Sequence, residues 1–282
     1  MWPSIKKLLV VSLAVLVKGI GASPLVGRAC APTSNWPAWK GIKHAFYFSI
    51  VDIHQSIPGY VSPITVPKPP QWTGNNTLFT IWVGINDIGA TYTKGSASNA
   101  VINQELVSEY TSLVEQLYTA GARDFVFITV PTIDRYPGTI ARGATIAEQE
   151  KIDVVQWNQL LIKLAKSEKA LHTDTNIWIY DAQALFAKIL DNVASFPQTA
   201  GITNTTGFCA ALLSKSISFP VVLHPFDNLL QSGTPTDDYF DPSCGVPVNQ
   251  YFWLNSLHPR TPVHDVIAQV LSRELLAGPN IC

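Results

Sequence analysis

Four short runs, apolar but for Thr80 and Thr129, punctuate the chain: Ala45 to Phe48, Leu78 to Val83, Phe125 to Val130 and Ile177 to Tyr180. Each is too short for a buried helix, and the runs are rich in β-branched and aromatic residues. Gly84 ends the second and Pro131 stops the third. Continuous apolar runs of this kind predict strands buried on both faces, the pattern of a parallel sheet. Between them the period changes to that of helices. Leu106, Tyr110, Leu113 and Leu117 share one helical face, and Gly121 supplies a stop. A second helix is predicted from Ile146 to about Ala170, with Ile152, Val155, Leu160 and Leu164 on its buried side, and a third from Ala182 to Leu190. The last opens with Thr261 as N-cap and Pro262 in the first turn, and carries Val263, Ile267, Val270 and Leu271 inward. Alternation of strand and helix predicts an α/β domain with a parallel sheet and helices on both faces. Two stretches break the pattern. Residues 194–250 are rich in Pro, Ser, Thr and Gly and read as a long loop excursion; residues 49–76 are crowded with proline.

The amino-terminal residues change the picture next. Lys6 and Lys7 precede a run from Leu8 to Val17 that is apolar except for Ser12, followed by the small residues Gly19, Gly21, Ala22 and Ser23. This is the layout of a secretory signal peptide over residues 1–22, with a domain over 23–282 and export from the cell as the expectation. The run is too short to span a bilayer, so no membrane association is expected after cleavage. Export permits disulfides among Cys30, Cys209, Cys244 and Cys282. Cys209 with Cys244, and Cys30 with Cys282, is the preferred pairing. Asn75-Asn76-Thr77 and Asn204-Thr205-Thr206 are glycosylation sequons suited to the same route.

Charge then excludes one class of partner. The 282 residues carry 19 basic and 20 acidic side chains, for a net charge of −1, and removing residues 1–22 takes away three lysines and no acid. Nucleic acid, which favours a basic face, is not an expected partner. With 47% apolar and only 14% charged residues the chain can bury a core and is not disordered as a whole. No exposed stripe or heptad argues for a dimer, and the oligomeric state stays open.

Two motifs carry candidate chemistry. Gly84-Ile85-Asn86-Asp87 follows directly on a predicted strand, at the carboxyl edge where α/β sheets bind ligands. An Asn there can donate its amide N–H to a developing oxyanion, and Gly84 allows a tight turn close to substrate. Read alone, the same residues suit a helix-capping turn. Leu257-His258-Pro259 lies just before the terminal helix, and a His on such a loop can serve as a general base. A metal pair of His258 with His264 is disfavoured, since the spacing is not that of a helical ligand pair and no third ligand is evident.

Taken together, FTIWVGINDIG, GARDFVFITVP and the carboxyl-terminal FWLNSLHPRTPVHDVIA resemble the SGNH or GDSL hydrolases, with the strongest likeness to the fungal acetylesterases of carbohydrate esterase family 16. The likeness covers roughly residues 36–48 and 72–282. It implies a three-layer, flavodoxin-like α/β/α fold and a carboxylic-ester hydrolase acting on acetylated plant-wall oligosaccharides, with no metal or organic cofactor. It assigns the oxyanion donor to Asn86, the loop to Gly84 and the catalytic base to His258. The family orients that base with an Asp three residues earlier; here the position holds Asn255. An amide can hold the ring but cannot stabilise imidazolium as a carboxylate does.

The family's opening block, strand then Gly-Asp-Ser with Ser as nucleophile, has no counterpart. Phe48 is followed by Ser49-Ile50-Val51-Asp52, which puts Val51 at the nucleophile position, and nothing matches the second block, a Gly that donates its backbone N–H. The expectation is an internal deletion with its junction near residues 48–52, removing edge strand 2 and the first helix. Ser49 is the substitute nucleophile to weigh. It lies two residues early, which keeps the strand face but moves the hydroxyl by about 6.6 Å, where a misplacement of ~1 Å already costs about a hundredfold. The alternative class is a non-catalytic secreted protein, a carbohydrate-binding or degenerate relative of these esterases.

Overall fold

The computed structural model describes residues 44–48, 73–74, 77–211 and 240–282, the first of these as backbone only. Residues 1–22, Cys30, Ser49, Val51 and the sequon at Asn75 lie outside the described residues. Four strands, β1 (His44–Phe48), β2 (Thr77–Ile81), β3 (Asp124–Ile128) and β4 (Asn176–Tyr180), form one sheet in the order β1-β2-β3-β4. Every pairing is parallel, with Phe46 opposite Phe79, Phe79 opposite Phe125, and Phe125 opposite Ile177. The apolar runs thus become strands as predicted, and β2, β3 and β4 are buried at every position. Their starting residues are polar, however. Thr77, Asp124 and Asn176 are all buried, and the Asn176 amide donates to Asp124 Oδ1 at 2.7 Å across the register pair. The pair satisfies one oxygen of Asp124 and leaves the other buried without a partner among the described residues; strands here begin on polar residues, so an apolar run starts the element late.

The helices are α1 (Ile85–Thr91), α2 (Ser96–Thr119), α3 (Pro137–Ile140), α4 (Ala144–Leu171), α5 (Ala182–Asp191) and α6 (Thr261–Ala277). Right-handed crossovers stepping in one direction along a parallel sheet return on the same face. The chain steps from β2 through α2 to β3 and through α4 to β4, so α2 and α4 share a face of the sheet. Tyr110 of α2 meets Phe127 of β3 edge-on, ring centroids 5.9 Å apart. Gly121, at φ 111°, closes α2 in the left-handed region that glycine tolerates without strain.

Two expectations for the helices are corrected. In α4 the predicted inner residues Ile152 and Val155 are 42% and 39% exposed, and Leu160 is half-buried; Leu164 alone is buried as expected. The buried stripe runs through Asp153, Val154, Trp157, Asn158, Leu161, Leu164, Ala165 and Glu168. Three polar residues with fixed partners or buried charge stand in that stripe, which rotates the real face away from the apolar count. Thr261 is the first helical residue of α6 instead of its cap; Val263, Ile267, Val270 and Leu271 are buried as the period predicts.

The described chain divides into two compact units. The first holds the sheet, α1, α2, the part of α4 from Ile152 and the carboxyl-terminal residues from Gln269. There Asn280 lies along β4: its amide donates to Ile179 O at 2.9 Å and its Oδ1 accepts from Ile179 N–H at 2.8 Å. The second, Thr132–Lys151 with Ala184–Ala268, has a core of Phe186, Phe252, Trp253 and Tyr136, in which successive ring centroids lie 4.5–6.0 Å apart. Cys209 and Cys244 are disulfide-bonded there and pack with Val248 and Tyr251. Cys282 is disulfide-bonded too; Cys30, its expected partner, lies outside the described residues. Asn204, the second sequon, is half-buried and its Oδ1 accepts from the backbone N–H of Thr206 and Gly207. No described helix is long and apolar enough to cross a membrane.

Candidate active site

The Gly84 loop begins where β2 ends. Gly84 sits at φ 111° as the residue before α1, and a Cβ placed on it would stand 2.3 Å from the Trp157 ring. Only glycine fits that approach, both for the backbone sign and for the space. Trp157 is fully buried and forms the floor beneath the turn. Side chains tie the carboxyl ends of the strands together around it. Trp82 Nε1 donates to Thr129 O at 3.2 Å, the Gln183 backbone N–H donates to Thr129 Oγ1 at 3.2 Å, and Asn158 clamps Val130 with both ends of its amide, at 2.8 and 2.9 Å. Sequence reading missed the place of Trp157 under Gly84. It also missed Asn158, whose signal was a polar residue standing in the buried stripe of a long helix. Asn86 follows at the second position of α1 with its side chain exposed. The N–H groups of a helix's first turn lack intrahelical partners, so that end favours negative charge. Burial pushes the neighbouring Asp87 carboxyl up, against the lowering effect of backbone hydrogen bonds at Asp87 and Gly84.

The His258 loop is built in the second unit from a different set of bonds. Trp253 and Pro259 form an antiparallel bridge, Leu254 N–H donates to His258 O at 2.8 Å, and Arg260 N–H donates to Phe252 O at 2.9 Å. Gly138 N–H donates to Ser256 O at 3.0 Å, which fixes the tip of the loop. Asn255 Oδ1 then accepts three hydrogen bonds: from Leu257 N–H at 2.9 Å, His258 N–H at 2.8 Å and the His258 ring at Nδ1, 3.1 Å. Because two backbone N–H groups point at that atom, it is the amide oxygen, and the ring nitrogen facing it must be the protonated one. The neutral imidazole therefore carries its lone pair on Nε2. Burial lowers the His258 pKa from its ordinary value, which keeps the ring neutral at physiological pH. A ring held in one tautomer with a basic Nε2 is equipped to take a proton. His264, on α6, is also lowered, by burial first and by His258, against a raising hydrogen bond with Pro259.

The structure thus brings Asn255 and His258 together, at the spacing that sequence reading gave to base and orienter. Gly84 and Asn86 belong to the first unit, and Asn255 and His258 to the second. Ser49, the substitute nucleophile, lies outside the described residues.

No protein-family model matches the chain. Curated relatives do. The chain is 25% identical over 207 residues to an acetylesterase of Thermothelomyces thermophilus, covering 73% of this chain and 55% of that protein. It is 25% identical over 244 residues to the thermolabile hemolysin of Vibrio parahaemolyticus, covering 84% and 50%. A GDSL esterase/lipase of Arabidopsis thaliana is 27% identical over 112 residues, covering 38% and 30%. The chain spans about half the length of the first two and less of the third. At low identity these relatives support an ester hydrolase family of the SGNH/GDSL type, and the mixed α/β architecture with its parallel sheet is compatible with that fold. Ester hydrolases of this kind take small-molecule esters.

Proposed function

We propose that this chain is a secreted carboxylic-ester hydrolase of the GDSL type, allied to the fungal acetylesterases of carbohydrate esterase family 16, whose substrate class is the acetyl esters of plant-wall oligosaccharides. In the full reaction a Ser hydroxyl attacks the acetyl carbonyl and His258 Nε2 takes its proton. The Asn86 amide and backbone N–H groups hold the oxyanion, and His258 passes the proton to the departing alcohol as the acetyl-enzyme forms; water, deprotonated by His258, then releases acetate, and the proton returns to the Ser oxygen. The observation that carries this reading is the fixed tautomer of His258, set by Asn255 Oδ1 at 3.1 Å. The three-layer form of the fold, the signal peptide and glycosylation at the sequons belong to the same proposal.

The nucleophile sets the rate. The resemblance puts Val51 at the Ser position and Ser49 two residues early in sequence, so turnover is expected on the order of a millionfold below that of a Ser-bearing enzyme. The test is hydrolysis of 4-nitrophenyl acetate by the purified chain, beside Ser49→Ala, His258→Ala and Asn86→Ala, and beside a version with a Gly-Asp-Ser strand block inserted between Phe48 and Ser49. Restored turnover that depends on His258 and Asn86 supports the assignment. Restored turnover indifferent to both overturns it. In the active version Asn255→Asp places a carboxylate where the amide now holds the ring. It favours imidazolium and is expected to move the acid limb of the pH–rate profile upward while raising turnover.

The missing Gly-Asp-Ser block favours a second reading, a non-catalytic secreted protein that binds carbohydrate or is a relic of the esterases. Binding of acetylated xylo-oligosaccharides without release of acetate by the unaltered chain separates it from slow catalysis.

A further inference from the structure

Away from the Gly84 loop, the helices α2 and α4 bring three ligating side chains together. Glu115 lies near the carboxyl end of α2, Glu168 in the last turn of α4, and His172 just beyond it. One atom from each falls within 4.8 Å of the others. His172 Nε2 is 2.6 Å from Glu115 Oε2 and 3.9 Å from Glu168 Oε2. Two ligands bound tetrahedrally to a zinc ion at about 2.0–2.1 Å lie roughly 3.4 Å apart. The two His172 spacings straddle that value, so an ion requires the His172–Glu115 pair to open and the His172–Glu168 pair to close, each by less than an ångström. Glu168 and His172, four residues apart, follow the one-turn spacing by which a helix offers two ligands to one ion.

The surroundings argue that the charge here is unbalanced. Glu168 is only 3% exposed, and its carboxylate accepts no hydrogen bond among the described residues; its single charged contact is the long one to His172. A carboxylate withdrawn from water with so little compensation is costly. Burial accordingly raises the Glu168 pKa, His172 lowers it and Glu115 raises it further. The nearby cations are engaged elsewhere: Arg123 pairs with Asp174 at 2.7 Å, and Lys169 Nζ donates to the carbonyls of Thr173 and Thr175. The His172 ring is fixed by stacking on Tyr118, centroids 3.6 Å apart at 22°. Glu115 also lines an open depression of about 480 Å³ with Ser112, Gln116, Thr119 and Ala120.

We propose that Glu115, Glu168 and His172 form a site for a first-row divalent cation of the zinc class, completed by water. One imidazole and two carboxylates suit such an ion better than calcium or magnesium, which take oxygen ligands. Binding replaces the proton on His172 Nε2, which leaves to solvent. The helix ends that carry the site lead into the amino ends of β3 and β4, opposite the strand ends that carry Gly84. The ion therefore staples α2 to α4 and takes no part in ester chemistry.

The test uses the full chain stripped with EDTA and titrated with ZnCl2, followed by thermal unfolding, metal content and the visible absorption of a Co²⁺-loaded sample. One ion per chain is expected, with a rise in Tm of about 5 °C at saturation. Glu115→Gln, an exposed change that leaves the core intact, and His172→Ala are each expected to abolish most of the rise, while His258→Ala keeps it. No rise in the parent, or an equal rise in Glu115→Gln and His172→Ala, overturns the site and leaves the cluster as an ordinary His–Glu hydrogen bond.

Discussion

Gly84 shows how much one missing methyl group can decide. Its left-handed backbone and the 2.3 Å approach of Trp157 mean that Gly84→Ala must move either the turn or a buried indole. A loss of at least about 2 kcal/mol is expected, combining backbone strain with overpacking. Thermal unfolding of the variant checks it. Asp124 offers a titration at the same scale. Burial raises its carboxyl to about 7, with the Asn176 hydrogen bond pulling the other way. The native state then holds a proton that the unfolded chain releases near its ordinary value, so this group's contribution to stability falls as pH rises from about 4 to about 7. Asp124→Asn, neutral throughout, is expected to gain Tm relative to the parent across that window. A parallel pair of Tm–pH curves would contradict it. The opposing pull of His258 and His264, both lowered, cancels in this comparison because both proteins carry them.

Among the elements, the strands were legible because four apolar runs have no other economical place than a sheet covered on both faces. The helix α4 was not. Its inward face carries Asp153, Asn158 and Glu168, and counting apolar residues rotates the face toward Ile152 and Val155. Asn158 accounts for part of the error: its amide satisfies both backbone groups of Val130, a demand that a sequence does not display. Asn158→Ala is expected to cost about 2 kcal/mol or more, because it orphans buried groups. Val155→Lys, at a position 39% exposed, should stay within about 0.5 kcal/mol. Urea unfolding of the two variants checks the assignment of the face. The candidate base was legible for a related reason. The bonds that orient the His258 ring are local, joining Asn255 to Leu257 and His258, whereas the floor beneath Gly84 comes from Trp157, far along the chain.

At the scale of the whole molecule, a parallel sheet in sequential order has two flanks to protect. Open flanks invite pairing with other chains. At β4 the Asn280 side chain occupies the donor and acceptor of Ile179, and the backbone N–H groups of Asn280 and Ile281 point to Ile177 O at 3.2 Å. Asn280→Ala removes the reciprocal pair, and light scattering of the warmed protein is expected to rise faster than in the parent; an unchanged rate would show that the flank is guarded by other means. Among the described residues β1 pairs on one side only. Under the proposed function, inserting a Gly-Asp-Ser strand block between Phe48 and Ser49 is expected to raise Tm as well as turnover, and equal Tm would defeat the first half of that expectation.

The amide at position 280 imitates one residue of a neighbouring strand, and an imitation can be displaced by the original. A short synthetic peptide of alternating valine and threonine, supplied in excess, would compete for the same two backbone groups of Ile179. Whether it displaces the tail measures how firmly this protein keeps its own margin closed, and so how it would behave at the high concentrations of an expression host or a storage buffer.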